Sequence, residues 1–368
     1  MTSVAGGASA PATAPRWPVY LPLAGLLGLG IGVAGFSAPA VTALLCAALL
    51  GAVIAAVHHA EVIAHKIGEP FGTLVLALAV TVIEVALILA LMMGRGQAAA
   101  ALPRDTVYAA VMIICNGVVG LCVLIGGLRH REQSFRIEGT GSGFAALAAL
   151  SVLVLVMPRL TVSSSEGSYT TSQLVFVALS SLALWLVYVF IQTIRHRDYF
   201  LPAHEADNES LHAEPPSARA AWISLALLLV SLTAVVGMAK LLSPAIEGLV
   251  ERLHAPPTMV GIIVAIIVLL PETWAAARAA RANRLQTSMN LAIGSALASI
   301  GLTIPAVVAT TVALQLPLEL GLEPKDIALL ALSFIVGAIT LGSGRTNVMQ
   351  GAVHLVIFAA FLFLSLVP

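Results

Sequence analysis

The sequence predicts an all-α polytopic membrane protein of about 11 transmembrane helices: one extra N-terminal helix followed by two inverted five-helix repeats. Two observations predict this fold class. The 368-residue chain is 59% hydrophobic and only 10% charged, with a mean hydropathy of +1.01, whereas a soluble domain carries about 25% charged residues. In addition, apolar stretches close to the ~20 residues that span a bilayer recur along the whole chain.

The predicted elements follow in chain order. Residues 1–18 are rich in Ala, Gly, Ser, Thr and Pro and predict a disordered tail, without the basic start and apolar core of a cleavable signal peptide. Residues 19–36 predict the extra helix. The first repeat, 39–194, and the second, 220–367, are separated by an acidic, His-containing loop at 195–219. Their spans are predicted at 39–58, 71–93, 106–127, 143–158 and 172–194, then at 220–240, 258–277, 288–310, 326–341 and 350–367.

Lys and Arg residues predict the orientation, because positively charged loops stay in the cytoplasm. With eleven spans, twelve of the 18 Lys and Arg residues fall on the N-terminal side and six on the opposite side. We therefore expect a bacterial inner-membrane protein with its N-terminus in the cytoplasm and its C-terminus outside. The loop 195–219 is then cytoplasmic, and within it 198–214 is interpreted as a solvated linker rather than a cation or pH sensor.

Two acidic residues lie deep inside apolar runs at matching places in the two repeats. Glu84 ends the run LVLALAVTVIE, and Glu272 ends the run IIVAIIVLLPE, and the two runs align without a gap. Carboxylates in hydrocarbon are costly and usually mark ion or proton paths. Because five helices per repeat is an odd number, the repeats are inverted and both carboxylates can meet near the membrane midplane. These are the candidate metal-binding residues.

Other polar residues near these glutamates are candidates for the same site. Thr81 lies one turn before Glu84, and Pro271 removes a backbone donor beside Glu272. Ser295 and Ser299 continue to Thr303 as a polar stripe at four-residue spacing, and Asn116 lies in the matching span of the first repeat. Such stripes line cavities, but they also form packing seams between membrane helices.

The remaining features exclude several classes of function. The net charge is zero, which gives no basic surface for nucleic acid, and the three cysteines lie in apolar runs without metal-ligand spacing. No nucleotide-binding glycine loop, HExxH or GxSxG is present, and no cofactor is expected. His58, His59 and His65 around Glu61 are interpreted as a solvated interfacial cluster rather than a metal site, and His354 as a packing or hydrogen-bonding residue.

Several longer motifs resemble the bacterial ChaA-type calcium/sodium–proton antiporters of the cation/calcium exchanger superfamily. These motifs are GEPFGTL at 68–74, RDTVY at 104–108, MNL with GS at 289–295, and GRTNV through HL at 344–355. The resemblance extends from about residue 40 to the C-terminus. It implies ten core helices in two inverted repeats after one extra helix. It also implies that Glu84 and Glu272 are the repeat glutamates that bind cation or protons in alternation.

The sequence departs from the calcium/proton branch at the amide side chains near the site. That branch has Gly-Asn-Ala-x-Glu before each glutamate and a glutamine in its eighth core helix. Here Val80 and Leu269 stand near the two asparagine positions, and Ala298 aligns with the glutamine. Since calcium takes six to eight oxygen ligands, fewer amides predict weaker selection of calcium over sodium.

The resemblance and the two glutamates together predict a proton-coupled antiporter, not an enzyme, that exports Ca²⁺ and also Na⁺ in exchange for H⁺. The alternative is a monovalent Na⁺/K⁺–proton antiporter with little calcium transport. An integral-membrane enzyme would need a polar catalytic cluster, for which only His58, His59, Glu61 and His65 are candidates. A channel would need a wider continuous polar lining. Membrane lipid and inorganic cations are the expected partners.

Overall fold

The computed structural model describes residues 16–35, 38–68, 71–164, 167–201, 216–252 and 255–367. Most of the predicted tail 1–18 and the greater part of the loop 195–219 lie outside the described residues, as do Glu69 and Pro70 of the GEPFGTL motif. The described chain is helical apart from one two-stranded sheet. This confirms the predicted all-α fold class.

The helices follow the predicted spans closely. Ten stretches among the described residues are long and apolar enough to cross a membrane, and the shorter N-terminal helix precedes them. In chain order the helices are α1 Trp17–Val33, α2 Pro39–Ile67, α3 Phe71–Arg95, α4 Leu102–Met112, α5 Val119–His130, α6 Ile137–Ser151, α7 Met157–Leu160, α8 Thr171–Phe190, α9 Ala218–Arg252, α10 Thr258–Arg281, α11 Leu285–Gly301, α12 Thr303–Leu314, α13 Pro324–Gly342 and α14 Val348–Leu366.

Some helices extend well beyond the predicted spans. The span predicted at 39–58 continues as α2 to Ile67, and the span predicted at 220–240 continues as α9 to Arg252. Glu61, which the apolar pattern places beyond the end of a span, therefore lies inside a helix. Asp105 is likewise inside α4, where it is 9% exposed and accepts a hydrogen bond from Arg104 Nε at 2.8 Å. The apolar pattern underestimates these helices because it detects only the part that faces hydrocarbon.

Several spans are interrupted near mid-length. The fourth span consists of α4 and α5 joined by a π-helical turn, Ile113–Val118, and a second π turn, Val152–Val156, joins α6 to α7. The ninth span breaks at Leu302, where α11 ends and α12 begins. Irregular backbone at membrane depth is tolerated only where it is buried in protein or lines a cavity. The fourth and ninth spans are the matching helices of the two repeats.

A short sheet joins the two repeats at one end of the molecule. Strand β1, Gln133–Ser134, pairs antiparallel with β2, Arg345–Thr346. Gln133 also donates from Nε2 to the carbonyl of Ala280 at 3.0 Å. The loops after α5, α10 and α13 therefore meet at one end of the bundle. The order of eleven spans likewise places these three loops on one side of the membrane.

The extra helix α1 packs on α2 and α9, one long helix from each repeat. The approach is close enough that a Cβ atom added at Gly25 would lie 3.0 Å from Ala52 Cβ and 3.2 Å from Ala234 Cβ. Small residues allow such backbone contact between membrane helices, where van der Waals packing replaces the hydrophobic effect. The helices α1, α2, α3 and α9, with part of α10, form one apolar cluster, and most of the other helices form a second.

Hydrogen bonds of His59, made possible by Pro22, connect α1 to α2 and α9. Pro22 lies inside α1 and has no N–H, so it cannot donate to the carbonyl of Pro18 four residues earlier. His59 of α2 replaces that donor, with Nε2 2.8 Å from the Pro18 oxygen. Because a carbonyl can only accept, Nε2 carries the proton, and Nδ1 accepts from the Ser224 hydroxyl of α9 at 3.2 Å. His59 is 3% exposed, so the prediction of a solvated histidine cluster is wrong for this residue.

Replacing His59 by Phe is expected to destabilise the protein, because the Pro18 carbonyl and the Ser224 hydroxyl both lose their partner in a buried place. The cost should be about 1–3 kcal/mol. The cost should be smaller in a Pro22→Ala background, because the introduced alanine supplies an N–H to the Pro18 carbonyl. A double-mutant cycle of thermal unfolding in detergent measures the coupling. An equal cost of His59→Phe in both backgrounds would contradict this account.

Candidate functional site

Glu84 and Glu272 line the same cavity. This space of about 370 Å³ lies between α3, α8, α10 and α11 and is lined by both Glu84 and Glu272. Three other predicted site residues, Thr81, Ser295 and Ser299, also line it. The structure therefore brings together five of the six residues that the sequence proposes. The remaining polar or aromatic lining residues are Trp185, Tyr188, Gln192, Thr287 and Asn290.

The cavity extends from the glutamates toward one end of the bundle. Its lining follows α11 from Ser299 back to Thr287, α3 from Glu84 back to Leu76, and α8 forward to Gln192. These directions converge on the start of α11, the start of α3 and the end of α8. That end also carries the β1–β2 sheet and the start of the loop 195–219. The cavity thus extends toward the end of the bundle that the sequence predicts to be cytoplasmic.

Glu84 is held by two hydroxyl groups of the other repeat. Its side chain is 2% exposed, and its Oε2 accepts hydrogen bonds from Ser299 Oγ at 3.0 Å and from Thr303 Oγ1 at 2.8 Å. Ser299 lies near the end of α11, and Thr303 begins α12 directly after the break at Leu302. The interrupted ninth span therefore places two donors against one carboxylate oxygen.

Glu272 has a different environment. Its Oε2 is buried and has no hydrogen-bond partner among the described residues. The neighbouring Thr273 does not supply one, because its hydroxyl donates to the carbonyl of Leu269 at 2.7 Å. Pro271, inside α10, removes the N–H that would otherwise bond to the carbonyl of Ile267. Since buried polar atoms are almost always satisfied, this unpaired oxygen is a candidate atom for binding a proton or a cation.

A third carboxylate lies within electrostatic range of Glu272. Besides Glu84, the charge of Glu61 on α2 acts on Glu272, and Arg278 of α10 in turn acts on Glu61. The sequence pattern assigns Glu61 to a histidine cluster and misses this relation, because α2 is longer than its apolar run indicates. Among the described residues, no group of three or more His, Cys, Asp or Glu side chains is arranged to hold a metal ion.

The structure does not place Asn116 in the cavity. Its side chain is fully buried in the π turn between α4 and α5, where Nδ2 donates to Ser333 Oγ at 2.8 Å. Its Oδ1 accepts from Nδ1 of His354 at 3.2 Å, and Nε2 of His354 accepts from the Thr340 hydroxyl at 3.1 Å. Asn116 thus joins the fourth span to α13 and α14. His354 is a hydrogen-bonding residue, as predicted.

Val80, Leu269 and Ala298 stand at or near the three positions at which the calcium/proton branch has amide side chains, and two of them border the cavity. Val80 and Ala298 line it, but Leu269 is 2% exposed and packs in the apolar core. Thr303, which the sequence pattern includes in the polar stripe with Ser295 and Ser299 but not among the proposed site residues, contacts Glu84 directly. Tyr188, on α8, and Gln192, in the π turn Ile191–Arg195 that follows it, give no comparable sequence signal because they stand in an apolar run without a repeat partner.

This arrangement is suited to hard cations and protons. Two carboxylates and several hydroxyl and amide oxygens surround a space large enough for a cation with some of its water, since one water occupies about 30 Å³. Oxygen ligands of this kind bind Ca²⁺ and other hard cations. Carboxylates bind protons at the same atoms, so cation and proton compete for the same oxygens.

The chain is similar to known cation transporters over nearly its whole length. The family described as sodium/calcium exchanger protein matches residues 37–194 and 223–367. The y4hA protein of Sinorhizobium fredii (strain NBRC 101917 / NGR234), named as an ionic transporter, is 46% identical over 358 residues, covering 96% of this chain and 97% of the relative. The sodium-potassium/proton antiporter ChaA of Escherichia coli (strain K12) is 36% identical over 349 residues, covering 94% of each chain.

A solved structure has the same fold. The crystal structure of the Ca²⁺/H⁺ antiporter YfkE superposes with a TM-score of 0.73 at 15% sequence identity, covering 96% of this chain and 100% of that one. At this level of identity the comparison shows a common fold.

Proposed function

Because the chain belongs to the sodium/calcium exchanger protein family, we propose that it moves Ca²⁺, and also Na⁺, out of the cell in exchange for H⁺ at the Glu84–Glu272 cavity. The protein is a multi-pass membrane cation/proton antiporter and not an enzyme. The proposal concerns the ions, the residues and the mechanism. The observation that carries it is that both repeat glutamates line one cavity.

Exchange follows from competition for the same oxygens. Two ionised carboxylates that line one cavity repel each other, and both lose hydration. A bound cation relieves that repulsion, and two protons do so equally. The site therefore holds either the cation or the protons. A site that holds neither leaves two ionised carboxylates without a counter-charge, so the transition between the two open states is too costly in that condition. Because cation and protons cannot occupy the site together, the cation flux and the proton flux are coupled.

Alternating access requires that the cavity open to each side in turn. In this structure the lining of the cavity extends from the glutamates toward the end that bears the β1–β2 sheet. Glu84 also contacts the buried Thr303, the first residue of α12, which does not line the cavity. Inverted repeats can exchange such conformations around a fixed site. We assign the structure to the state that faces the cytoplasm and expect a second state in which α3 and α10 exchange environments.

We also propose that the protein lies in the bacterial inner membrane with its N-terminus in the cytoplasm. The asymmetry of Lys and Arg residues supports this orientation. A reporter fused after Pro368 is expected to be active only outside the cytoplasm, and a reporter inserted near Asn208 only inside it. Alkaline phosphatase and green fluorescent protein fusions at each position measure this. Reporting from the same side at both positions would contradict the orientation.

A monovalent exchanger is the second candidate. It is favoured by the apolar Val80 and Ala298 in the cavity wall, which offer no oxygen to an ion. It is also favoured by the similarity to a sodium-potassium/proton antiporter. In this case the same two glutamates would bind Na⁺ or K⁺, and calcium would be a poor substrate.

Everted membrane vesicles test the proposal directly. Respiration acidifies the vesicles and quenches a pH-sensitive dye, and a transported cation then releases protons and restores fluorescence. We expect recovery with CaCl₂ and with NaCl, in vesicles that contain this protein and not in vesicles from the same strain without it. Recovery with NaCl and KCl but not with CaCl₂ would establish the monovalent candidate. Absence of recovery with all three salts would exclude both.

A further inference from the structure

Nine hydroxyl side chains among the described helical residues bond to their own helix. Thr106, Thr140, Thr193, Ser231, Thr233, Thr273, Thr310, Thr311 and Ser333 each donate to the carbonyl four residues earlier. This is the ordinary way for Ser and Thr to be satisfied inside a membrane helix. A hydroxyl has only one hydrogen to donate, so a different acceptor indicates a different role.

Ser299 and Thr303 are different. Each donates its hydrogen across the repeat interface to Oε2 of Glu84. Thr303 is fully buried and, unlike Ser299, does not line the cavity. It therefore cannot touch a cation that lies between the two glutamates. From its position at the first residue of α12, after the break at Leu302, its hydroxyl reaches the same carboxylate oxygen as Ser299.

We infer that Thr303 is a positioning residue for cation exchange: together with Ser299 it fixes Oε2 of Glu84, so that Glu84 presents only Oε1 to the cation. This inference rests on the proposed function of the cavity and distinguishes how its two glutamates are held. Glu84 is the fixed ligand, with one oxygen already bonded twice. Glu272, whose Oε2 has no hydrogen-bond partner among the described residues, is not held in this way, and both carboxylates exchange the cation for protons.

The test compares Thr303→Val with Thr303→Ser and Thr311→Val. Val keeps the shape of Thr but lacks the donor, and Ser keeps the donor. Thr311 is the matched control, because it is a buried threonine on the same helix, 2% exposed, whose hydroxyl donates to the carbonyls of Val307 and Val308 and not to a carboxylate. The measurement is the half-saturating concentration and the maximal rate of dye recovery for CaCl₂ and NaCl, at equal amounts of protein in the vesicles.

In T303V the half-saturating cation concentration should rise about tenfold, which corresponds to loss of one hydrogen bond to a charged group. The maximal rate should change less than this concentration, and T303S should restore the normal value. T311V should behave as the unmodified protein. If T303V does not accumulate in the membrane, S299A removes the other donor to the same oxygen and should raise the half-saturating concentration similarly.

Three results would overturn the inference: an unchanged half-saturating concentration in T303V, an equal increase in T311V, or a failure of T303S to restore it at normal protein levels. None of these results would contradict the proposed function, because cation/proton exchange is measured separately in the unmodified protein. Conversely, if the unmodified protein moves no protons with any cation, the proposed function fails and the inference about Thr303 fails with it.

Discussion

Glu272→Gln is expected to reduce cation-driven proton release to the level of vesicles without the protein, for calcium and sodium alike. Glutamine keeps the volume and polarity of the side chain but can neither carry the negative charge nor exchange the proton. Since Oε2 of Glu272 has no partner among the described residues, the loss should come from the site chemistry and not from a broken hydrogen bond. The same assay of dye recovery measures it.

Glu84→Gln is expected to give the same loss for the same chemical reason. The carbonyl oxygen of the introduced glutamine can still accept from Ser299 and Thr303, so the connection between α3 and the ninth span survives. The protein should therefore reach the membrane in normal amounts and unfold at a similar temperature. Glu138→Gln is the control for the substitution itself, because Glu138 is exposed at the start of α6, and it should leave exchange unchanged. Full exchange in either cavity variant would contradict the mechanism.

The transmembrane helices could be predicted from sequence because an apolar run long enough to cross hydrocarbon is a local property of the chain. Ten such stretches and the shorter α1 are found where the hydropathy places them. The pairing of Glu84 with Glu272 could be predicted for a related reason, since an inverted repeat places equivalent residues at equivalent depths. Both inferences use only sequence spacing and the thickness of the bilayer.

The assignment of Asn116 to the cavity is where this reasoning fails. A π turn contains one residue more than an α turn, and so it rotates every later side chain relative to a regular helix. The turn Ile113–Val118 directs Asn116 toward Ser333 and His354. Nothing in the amino-acid pattern of the fourth span indicates that turn. Sequence spacing therefore identifies the helix correctly, but it does not identify the neighbouring helices that the Asn116 side chain contacts.

His59 and Leu269 show a second limit. Apolarity around His59 suggests a membrane edge, but its partner is a carbonyl of α1 that Pro22 leaves without a donor, and α1 lies 41 residues away in sequence. Leu269 stands three residues before Glu272, yet it packs in the core and not on the cavity. In both places the environment is set by which helix lies alongside, and that is determined by tertiary packing.

Val80→Asn is expected to shift the preference of the exchanger from sodium toward calcium. Val80 lies on the cavity wall one turn before Glu84, so an asparagine there adds an amide oxygen where the wall offers only methyl groups. Calcium takes six to eight oxygen ligands and gains most from an added one. The ratio of the half-saturating concentrations of sodium and calcium should rise by about tenfold, the effect of one good polar contact.

Leu269→Asn provides the matched control, because it makes a comparable substitution three residues before the other glutamate at a position outside the cavity. It should leave the ratio unchanged while lowering the unfolding temperature, since a buried amide without a partner costs about 1–3 kcal/mol. Ala298→Gln, also on the cavity wall, should act in the same direction as Val80→Asn. Each ratio is measured by dye recovery with graded CaCl₂ and NaCl in the same vesicles. If Val80→Asn and Ala298→Gln both exchange normally but keep the original ratio, cavity oxygens do not set the selectivity, and the two carboxylates alone must determine which cation is bound.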